Sequence, residues 1–297
     1  MTLGNDGTSH GTAALTNDAL MALTGSGAAQ FLQDQTTADF DKLSSMAVIP
    51  GAFCDLKGRV IADFLALAVN PEHILLRTDR SLVPVLMAHT QKYLMFTKAD
   101  LTPLDWIVTG AWGEAATTLP GHHDGSFPDA CAHETGSDAE FVIYHSQTMA
   151  EVWSATAQPA DSQENQWRAL RIATGEARVT AATSGKYLPQ DLNYDLRQWV
   201  SFDKGCYMGQ EIIARLHWRG TPKRRLYAAS AATGNCPEPG TTLTLQGSDS
   251  ALGSVVNACR WREGALLAIE TTEDGIARGL QLPDGTPIVS ADEGLLR

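Results

Sequence analysis

The sequence predicts an α+β protein in which a mixed region of helices and strands is followed by a small C-terminal β-barrel domain. Up to about residue 100 the elements follow the order strand, helix, strands, helix, typical of a sheet with packed helices. After about Gly220, short β-like runs alternate with turns containing Gly and Pro. The 297 residues suffice for two or three compact units, so we expect domains at 1–220 and 221–297, the first with two subdomains.

The first predicted elements are a strand over Ala19–Leu23 and a helix that Ser26 caps and that ends near Gln35. Serine is a favoured N-cap residue because its hydroxyl accepts a hydrogen bond from a free amide of the first turn. The apolar residues after Ser26 recur at helical spacing, which supports a helix packed by one face.

A hairpin and a second helix follow. The runs 47–54 and 60–69 have strand character, and the polar turn Asp55–Gly58 joins them. Another short strand is expected over His73–Thr78. The spacing of apolar residues then predicts a helix over Leu82–Phe96, in which Pro84 is tolerated because it falls in the first turn.

The later part of the chain is predicted to contain two more helices and the strands of the barrel. The stretch 110–139 is rich in Gly, Thr, Pro, His and Asp and is expected to be loop with short elements. Helices are expected over Gln163–Thr174 and from Gln210 to Leu216. The predicted barrel strands are Leu226–Ser230, Thr241–Leu245, Ser254–Cys259 and Ala265–Ile269.

Composition excludes several classes of protein. The formal net charge of −12 argues against a general binder of polyanions, although a local basic groove stays open. The first fifteen residues lack the pattern of a secretory signal, and no run of eighteen apolar residues predicts a membrane span. Five scattered cysteines are an odd number, so a disulfide framework is not expected and a cytoplasmic location is predicted.

The segment Lys204–Glu211 holds the most chemistry. Gly205 and Gly209 bracket Cys206 and its two successors, which predicts a backbone with positive φ angles that can approach a ligand closely. The thiol precedes a predicted helix N-terminus and lies two residues from Lys204, and both features favour the thiolate. A buried, inert cysteine is the alternative.

This segment also resembles a known family. Its eight residues, K-G-C-Y-M-G-Q-E, match the K-G-C-[FY]-x-G-Q-E signature of the YgfZ type, a relative of the glycine-cleavage T-protein. The stretches 185–194 and 214–220 resemble the family's sequence on either side, and 31–39 resembles its first helix. The resemblance spans roughly residues 17–225.

The resemblance implies a T-protein-like folate-binding fold with a central pocket that holds tetrahydrofolate or a derivative. It also implies a role in the assembly or maintenance of [4Fe–4S] proteins, with client or assembly proteins as partners and Cys206 as the functional thiol. Lys204 is assigned to the catalytic group with Cys206. The other motif residues are Gly205, Tyr207, Gly209, Gln210, Glu211 and Arg215. The candidates for the folate pocket are Trp167, Asp63, Arg171, Tyr187 and Gln210.

The resemblance implies that this chain lacks two acids of the T-protein enzymes. Those enzymes carry a paired Asp-Asp after a Gly-rich turn, whereas this chain has Ala62 and Asp63. The acid of the later helix is absent because residues 171–175 carry no carboxylate. Aminomethyl transfer is therefore not expected, and binding without that chemistry is favoured.

Three further possibilities stay open or are set aside. The basic cluster at 217–219 and 223–225 keeps open a folate-dependent one-carbon transferase acting in tRNA modification, although a solvated surface or a site for the folate tail is favoured for the cluster itself. A folate-responsive module with a structural Cys206 is the third alternative. The His, Asp, Cys and Glu residues at 122–124 and 131–134 match no zinc spacing, so no metal site is predicted.

Overall fold

The computed structural model describes residues 10–41, 43–122, 131–135 and 140–290, which form two antiparallel sheets and six α-helices. The helices are α1 Ala28–Gln35, α2 Val83–Leu94, α3 Glu114–Thr117, α4 Glu164–Ala173, α5 Gln210–Arg219 and α6 Glu273–Arg278. Among these helices none combines the length and the apolar character that crossing a bilayer requires.

The first sheet has ten strands in the order β1-β7-β10-β9-β8-β3-β4-β5-β2-β6. Its strands are β1 Gly11–Ala14, β2 Asp18–Thr24, β3 Ala47–Cys54, β4 Val60–Asn70, β5 His73–Asp79, β6 Asp100–Leu104, β7 Ile107–Trp112, β8 Cys131–Thr135, β9 Glu140–Ser146 and β10 Met149–Ser154. Within the described part of the chain, β3 and β8 pair only at Ala47 and Cys131. The sheet therefore consists of two halves joined at a narrow contact.

The predictions for the first hundred residues are largely confirmed. Strand β3 has the predicted bounds, and the turn Asp55–Gly58 closes through a hydrogen bond from the Gly58 N–H to the Asp55 carbonyl (2.9 Å). The predicted Ser26 cap is wrong, because α1 has Gly27 as its N-cap and no side chain bonds there. The Gly27 N–H instead donates to the Lys98 carbonyl (3.1 Å), so packing on a neighbouring segment sets the helix start.

The second sheet is nearly closed and barrel-like, with six strands in the order β15-β12-β13-β14-β11-β16. Its strands are β11 Arg224–Ala231, β12 Thr242–Leu245, β13 Ala251–Trp261, β14 Gly264–Thr272, β15 Leu280–Gln281 and β16 Ile288–Ser290. Each predicted barrel run falls on one of these strands. The sheet begins after the predicted boundary at 220/221, and the division into domains stays a prediction.

One hydrophobic cluster joins the two sheets. It contains Phe53 and Phe64 from the first sheet and Leu226, Val256 and Leu266 from the second, all less than a twentieth exposed. Burial of such apolar area is the main stabilising term in folding, so the two sheets stabilise each other. A second cluster lies on the other face of the first sheet and includes side chains of α4.

Candidate functional site

The loop that carries Cys206 lies on the surface, directly before α5. The Cys206 side chain is exposed, and α5 begins at Gln210 with Gly209 as its N-cap, so the predicted position before a helix N-terminus is confirmed. Gly209 has φ +81°, as predicted. Gly205 is not among the positive-φ residues, so that part of the prediction is wrong, and a Cβ added there would meet no atom within 4 Å.

A close backbone contact explains the second glycine of the motif. A Cβ at Gly209 would lie 2.5 Å from the Asp55 carbonyl oxygen and 2.9 Å from the Gly58 Cα. Separations this short are sterically forbidden, so only glycine fits where the loop crosses the β3–β4 turn. The contact fixes the start of α5, and with it the Cys206 loop, against the hairpin.

Lys204 turns into the protein rather than into solvent. Its ammonium donates to the carbonyls of Gln33 (2.7 Å), Thr36 (2.8 Å) and Ala38, at the end of α1. Burial lowers the pKa of Lys204 to about 8. All three donors are thus used on backbone oxygens, a structural contact that the sequence did not predict, and the catalytic assignment of Lys204 stays a prediction.

The remaining motif residues divide into a buried and an outer group. Tyr207 is buried, and the Lys204 ammonium lies 5.0 Å from its ring centroid. No described residue is hydrogen-bonded to the Tyr207 hydroxyl. Burial raises the pKa of the Tyr207 hydroxyl. Gln210 is half-buried, whereas Glu211 and Arg215 are exposed on α5.

Two cavities meet inside the molecule. One, of about 480 Å³, lies beside the narrow junction of the first sheet, and the other, of about 770 Å³, reaches the second sheet. Arg77, Arg171, Glu176 and Arg178 line both cavities and form the wall between them. The smaller cavity extends to Ser201, five residues before the Cys206 thiol.

Paired charges build this wall. Arg77 bridges Asp18 and Glu151, each at 3.0 Å. Burial raises the pKa of Asp18 to about 7. Burial opposes ionisation of Glu151 as well, but Arg77 and His145 hold the pKa of that carboxyl below its usual range. A buried carboxylate stays charged when it pairs with an arginine and is hydrogen-bonded to an imidazole, as Glu151 is to Arg77 and His145, whereas a lone one does not.

Asp63 lies behind the wall and lines neither cavity. It is fully buried and accepts hydrogen bonds from Arg178 Nε (3.1 Å), the Val179 N–H (2.5 Å) and the Tyr194 hydroxyl (2.7 Å). Burial raises its pKa to about 7. The structure therefore places this predicted pocket residue where it positions Arg178, rather than where it can touch a ligand.

Trp167 and Arg171 of α4 lie together at the larger cavity, as a shared pocket requires. The indole of Trp167 packs on Gly110, where an added Cβ would lie 2.6 Å from the ring, and the Arg171 guanidinium lies 5.6 Å from the indole centroid. Tyr187 and Gln210 line neither cavity. The Tyr187 hydroxyl is instead hydrogen-bonded to Ser254 of the second sheet (2.7 Å).

The sequence reasoning missed the acid of the cavity wall. Glu176 lies shortly after α4, which ends at Ala173. Its carboxylate pairs with Arg171, and its Oε2 lies 3.8 Å from Arg197 Nη2. Its side chain is 5% exposed, and its Oε1 has no hydrogen-bond partner among the described residues. Within the same part of the chain, Arg178 Nη2 has no partner either. Residues 171–175, where the sequence analysis expected this acid, carry no carboxylate. Glu176 is the next residue along the chain.

No group of three His, Cys, Asp or Glu side chains that could hold a metal ion occurs in the described ranges. Of the residues weighed for zinc, His123, Asp124 and the side chains of Cys131 and His133 lie outside the described part of the structure.

Comparison with known proteins decides the family. A tRNA-modifying protein YgfZ of Yersinia pseudotuberculosis is 31% identical over 267 residues, covering 84% of this chain and 80% of the relative. That of Serratia proteamaculans is 30% identical over 266 residues with the same coverage. The chain belongs to the YgfZ family. No protein-family model matches it.

A solved structure confirms the predicted fold of this YgfZ-family chain. The glycine cleavage system aminomethyltransferase T of Bartonella henselae superposes with a TM-score of 0.70 over 95% of this chain and 84% of its own, at 14% identity. The family resemblance read from the motif and the T-protein-like fold are therefore both confirmed.

Proposed function

We propose that this chain binds tetrahydrofolate or a derivative in the central cavities. The proposal is carried by two buried atoms that have no hydrogen-bond partner among the described residues, Oε1 of Glu176 and Nη2 of Arg178, in residues that line both cavities. A pterin ring carries N–H donors and a carbonyl on one edge and needs an aromatic neighbour, which Trp167 supplies. Buried polar atoms without partners are costly, so a ligand that satisfies them gains affinity.

Each of these residues would make a different contact with the pterin ring. Glu176 would accept a hydrogen bond from the ring edge, Arg178 would donate one to it, and the indole of Trp167 would pack on one face of the ring. Arg168 and Arg260 line the larger cavity and suit the carboxylates of a glutamate tail. When bound, the folate supplies the carrier chemistry for one-carbon units.

Aminomethyl transfer is not part of the proposal. Of the enzymes' paired acids only Asp63 is present, and its oxygens already accept from Arg178, Val179 and Tyr194. A carboxylate with its lone pairs engaged behind the wall is poorly placed to exchange protons with a ligand.

Titration with tetrahydrofolate under anaerobic conditions tests the binding proposal by calorimetry. Glu176→Gln is expected to weaken binding at least tenfold, because the amide replaces one acceptor by a donor, and Trp167→Ala is expected to weaken it as well. Glu270→Gln is the matched control, since Glu270 is equally buried but pairs with Arg224 outside both cavities. Equal affinity of wild type and Glu176→Gln would reject the proposed site.

We further propose that the Cys206 thiol supports the maturation of [4Fe–4S] proteins. Cys206 is exposed, whereas Cys54 and Cys259 are buried and Cys236 is half-buried. Burial raises the pKa of the Cys259 thiol to about 12 and that of Cys54 higher still. Because the thiolate is the reactive form, Cys206 is the described thiol best placed to meet a partner.

Complementation tests the thiol. The activity of a [4Fe–4S] enzyme is measured in cells that lack the gene and express wild type, Cys206→Ala or Cys236→Ala at matched levels. Wild type and Cys236→Ala should restore the activity, and Cys206→Ala should not. Full restoration by Cys206→Ala would refute the role of the thiol, and no effect of the gene itself would refute the maturation role.

A role in tRNA modification is the second candidate, and it is favoured because the relatives are named tRNA-modifying proteins. Its test is the nucleoside composition of total tRNA, measured by mass spectrometry in the same strains. Loss of a modified nucleoside without the gene, restored by wild type, is the expected result. Identical nucleoside profiles would reject this candidate.

A further inference from the structure

Three aromatic rings cluster at the C-terminal end of α5 and form what we call the α5 aromatic face: Phe202, His217 and Trp218. Phe202 stacks on His217 with centroids 3.7 Å apart and planes at 13°. Trp218 stands edge-on to both rings and is 67% exposed. The exposed indole and the stacked pair beside it together offer aromatic surface to a partner.

The cations next to this face have no ion pair among the described residues. Arg215, Arg219 and Lys223 are exposed and unpaired. The other two members of the basic cluster seen in the sequence are neutralised, since Arg224 pairs with Glu270 and Arg225 with Asp195. Within the stretch 215–225, the cations left available to a partner therefore flank Trp218 in the chain. The exposed carboxylates Asp203 and Glu211 lie on the loop and on the first turn of α5.

The face lies near the functional thiol because the chain doubles back. Phe202 packs at the end of α5, on His217, whereas Gly209 caps its start. The segment between them must therefore run alongside the helix. Cys206 is four residues from Phe202, so their Cα atoms are at most about 14 Å apart.

We infer that the α5 aromatic face binds a single-stranded segment of RNA, with a base stacked on Trp218 and phosphates on the three cations. Charge complementarity selects this occupant, because unpaired cations around an exposed indole in a chain of net charge −12 suit a polyanion with aromatic bases. The bound segment would pass within a few nucleotides of Cys206. The inference rests on the proposed role in tRNA modification and names the surface that such a role would use.

Binding of unmodified tRNA and of a twelve-nucleotide single strand, followed by fluorescence anisotropy, tests the inference. Trp218→Ala is expected to weaken binding about 5- to 100-fold, the usual range for loss of one stacked base. The dependence of log K on log salt should have a slope of about −2 for three phosphate contacts, and Arg219→Gln should reduce it by about 0.7. Arg278→Gln in α6 and Val289→Ala in β16, both exposed and outside the α5 aromatic face, are the controls.

The outcomes separate the inference from the proposal beneath it. If wild type binds RNA and Trp218→Ala binds equally well, the surface is wrong while a role in tRNA modification survives. If wild type binds neither RNA, the inference is wrong. The proposed role in tRNA modification is then tested separately by the tRNA nucleoside profile. If Trp218→Ala leaves RNA binding intact but abolishes maturation of a [4Fe–4S] enzyme, the face contacts a protein and the inference is overturned.

Discussion

Replacing Lys204 by Met tests what the motif lysine does. Met keeps most of the aliphatic stem and removes the ammonium, which leaves the carbonyls of Gln33, Thr36 and Ala38 without their donor. Each buried unpaired carbonyl costs about 1–3 kcal/mol, or about 3–9 kcal/mol together. In the variant no ammonium has to be desolvated on folding, and this offsets the loss by several kcal/mol. We therefore expect the free energy of unfolding to fall by about 2–4 kcal/mol.

The assay is urea denaturation at pH 7 followed by tryptophan fluorescence, with thermal unfolding as a second measurement. A loss of this size corresponds to a midpoint about 4–8 °C lower for a chain of this length. Lys57→Met is the control, because Lys57 is exposed in the β3–β4 turn and should change stability by less than about 0.5 kcal/mol.

The rate of Cys206 alkylation is measured on the same variants. If Lys204→Met unfolds like wild type but its Cys206 reacts more slowly, the structural reasoning is refuted and the catalytic assignment made from the sequence stands. A destabilised variant whose folded form is alkylated at the wild-type rate supports the structural role.

Three other perturbations follow from the contacts described. In urea denaturation, Gly209→Ala should lower the free energy of unfolding by more than about 2 kcal/mol and Gly205→Ala by less than about 0.5 kcal/mol. The reason is that a Cβ at Gly209 would collide with backbone atoms and that Gly209 has a positive φ, whereas neither holds for Gly205. Equal effects of the two substitutions would contradict this. Asp63, with its pKa raised to about 7, contributes stability that is full below about pH 4 and is lost as pH rises through 7. In Asp63→Asn this decline, measured by denaturation at several pH values, should be shallower, and an unchanged profile would contradict the assignment. With iodoacetamide and mass spectrometry, Cys206 should be labelled at least tenfold faster than Cys54, and similar rates would show that Cys54 is accessible.

The hairpin and its neighbours could be predicted because their pattern is local. In β3 and β4 the apolar character persists along the run, and the turn residues between them carry their own signal. Strand β10 was missed because Glu151 stands in its middle. That carboxylate is fully buried only because Arg77 reaches it from β5, and pairing between distant strands leaves no trace in the local sequence.

The same limit applies to the candidate site. The motif around Cys206 could be read directly, since its residues are contiguous and its helix follows at once. The cavity wall could not, because Glu176 and Arg178 lie in an irregular segment after α4. Arg178 is held by Asp18 and Asp63, more than a hundred residues earlier in the chain. The sequence also could not predict that the Lys204 side chain points inward, because that direction is set by carbonyls at the end of α1.

The core shared between the two sheets limits how this chain can be divided. The Arg178 N–H donates to Asn257 of β13 (2.5 Å), and Cys259 and Arg260 of that strand form part of the larger cavity. A fragment ending at residue 220 would expose Phe53 and its neighbours to water and would lose one side of the cavity. Shortened versions for crystallisation or fusion should therefore keep the second sheet, and calorimetry of the intact chain should record one cooperative transition that ligand shifts as a whole.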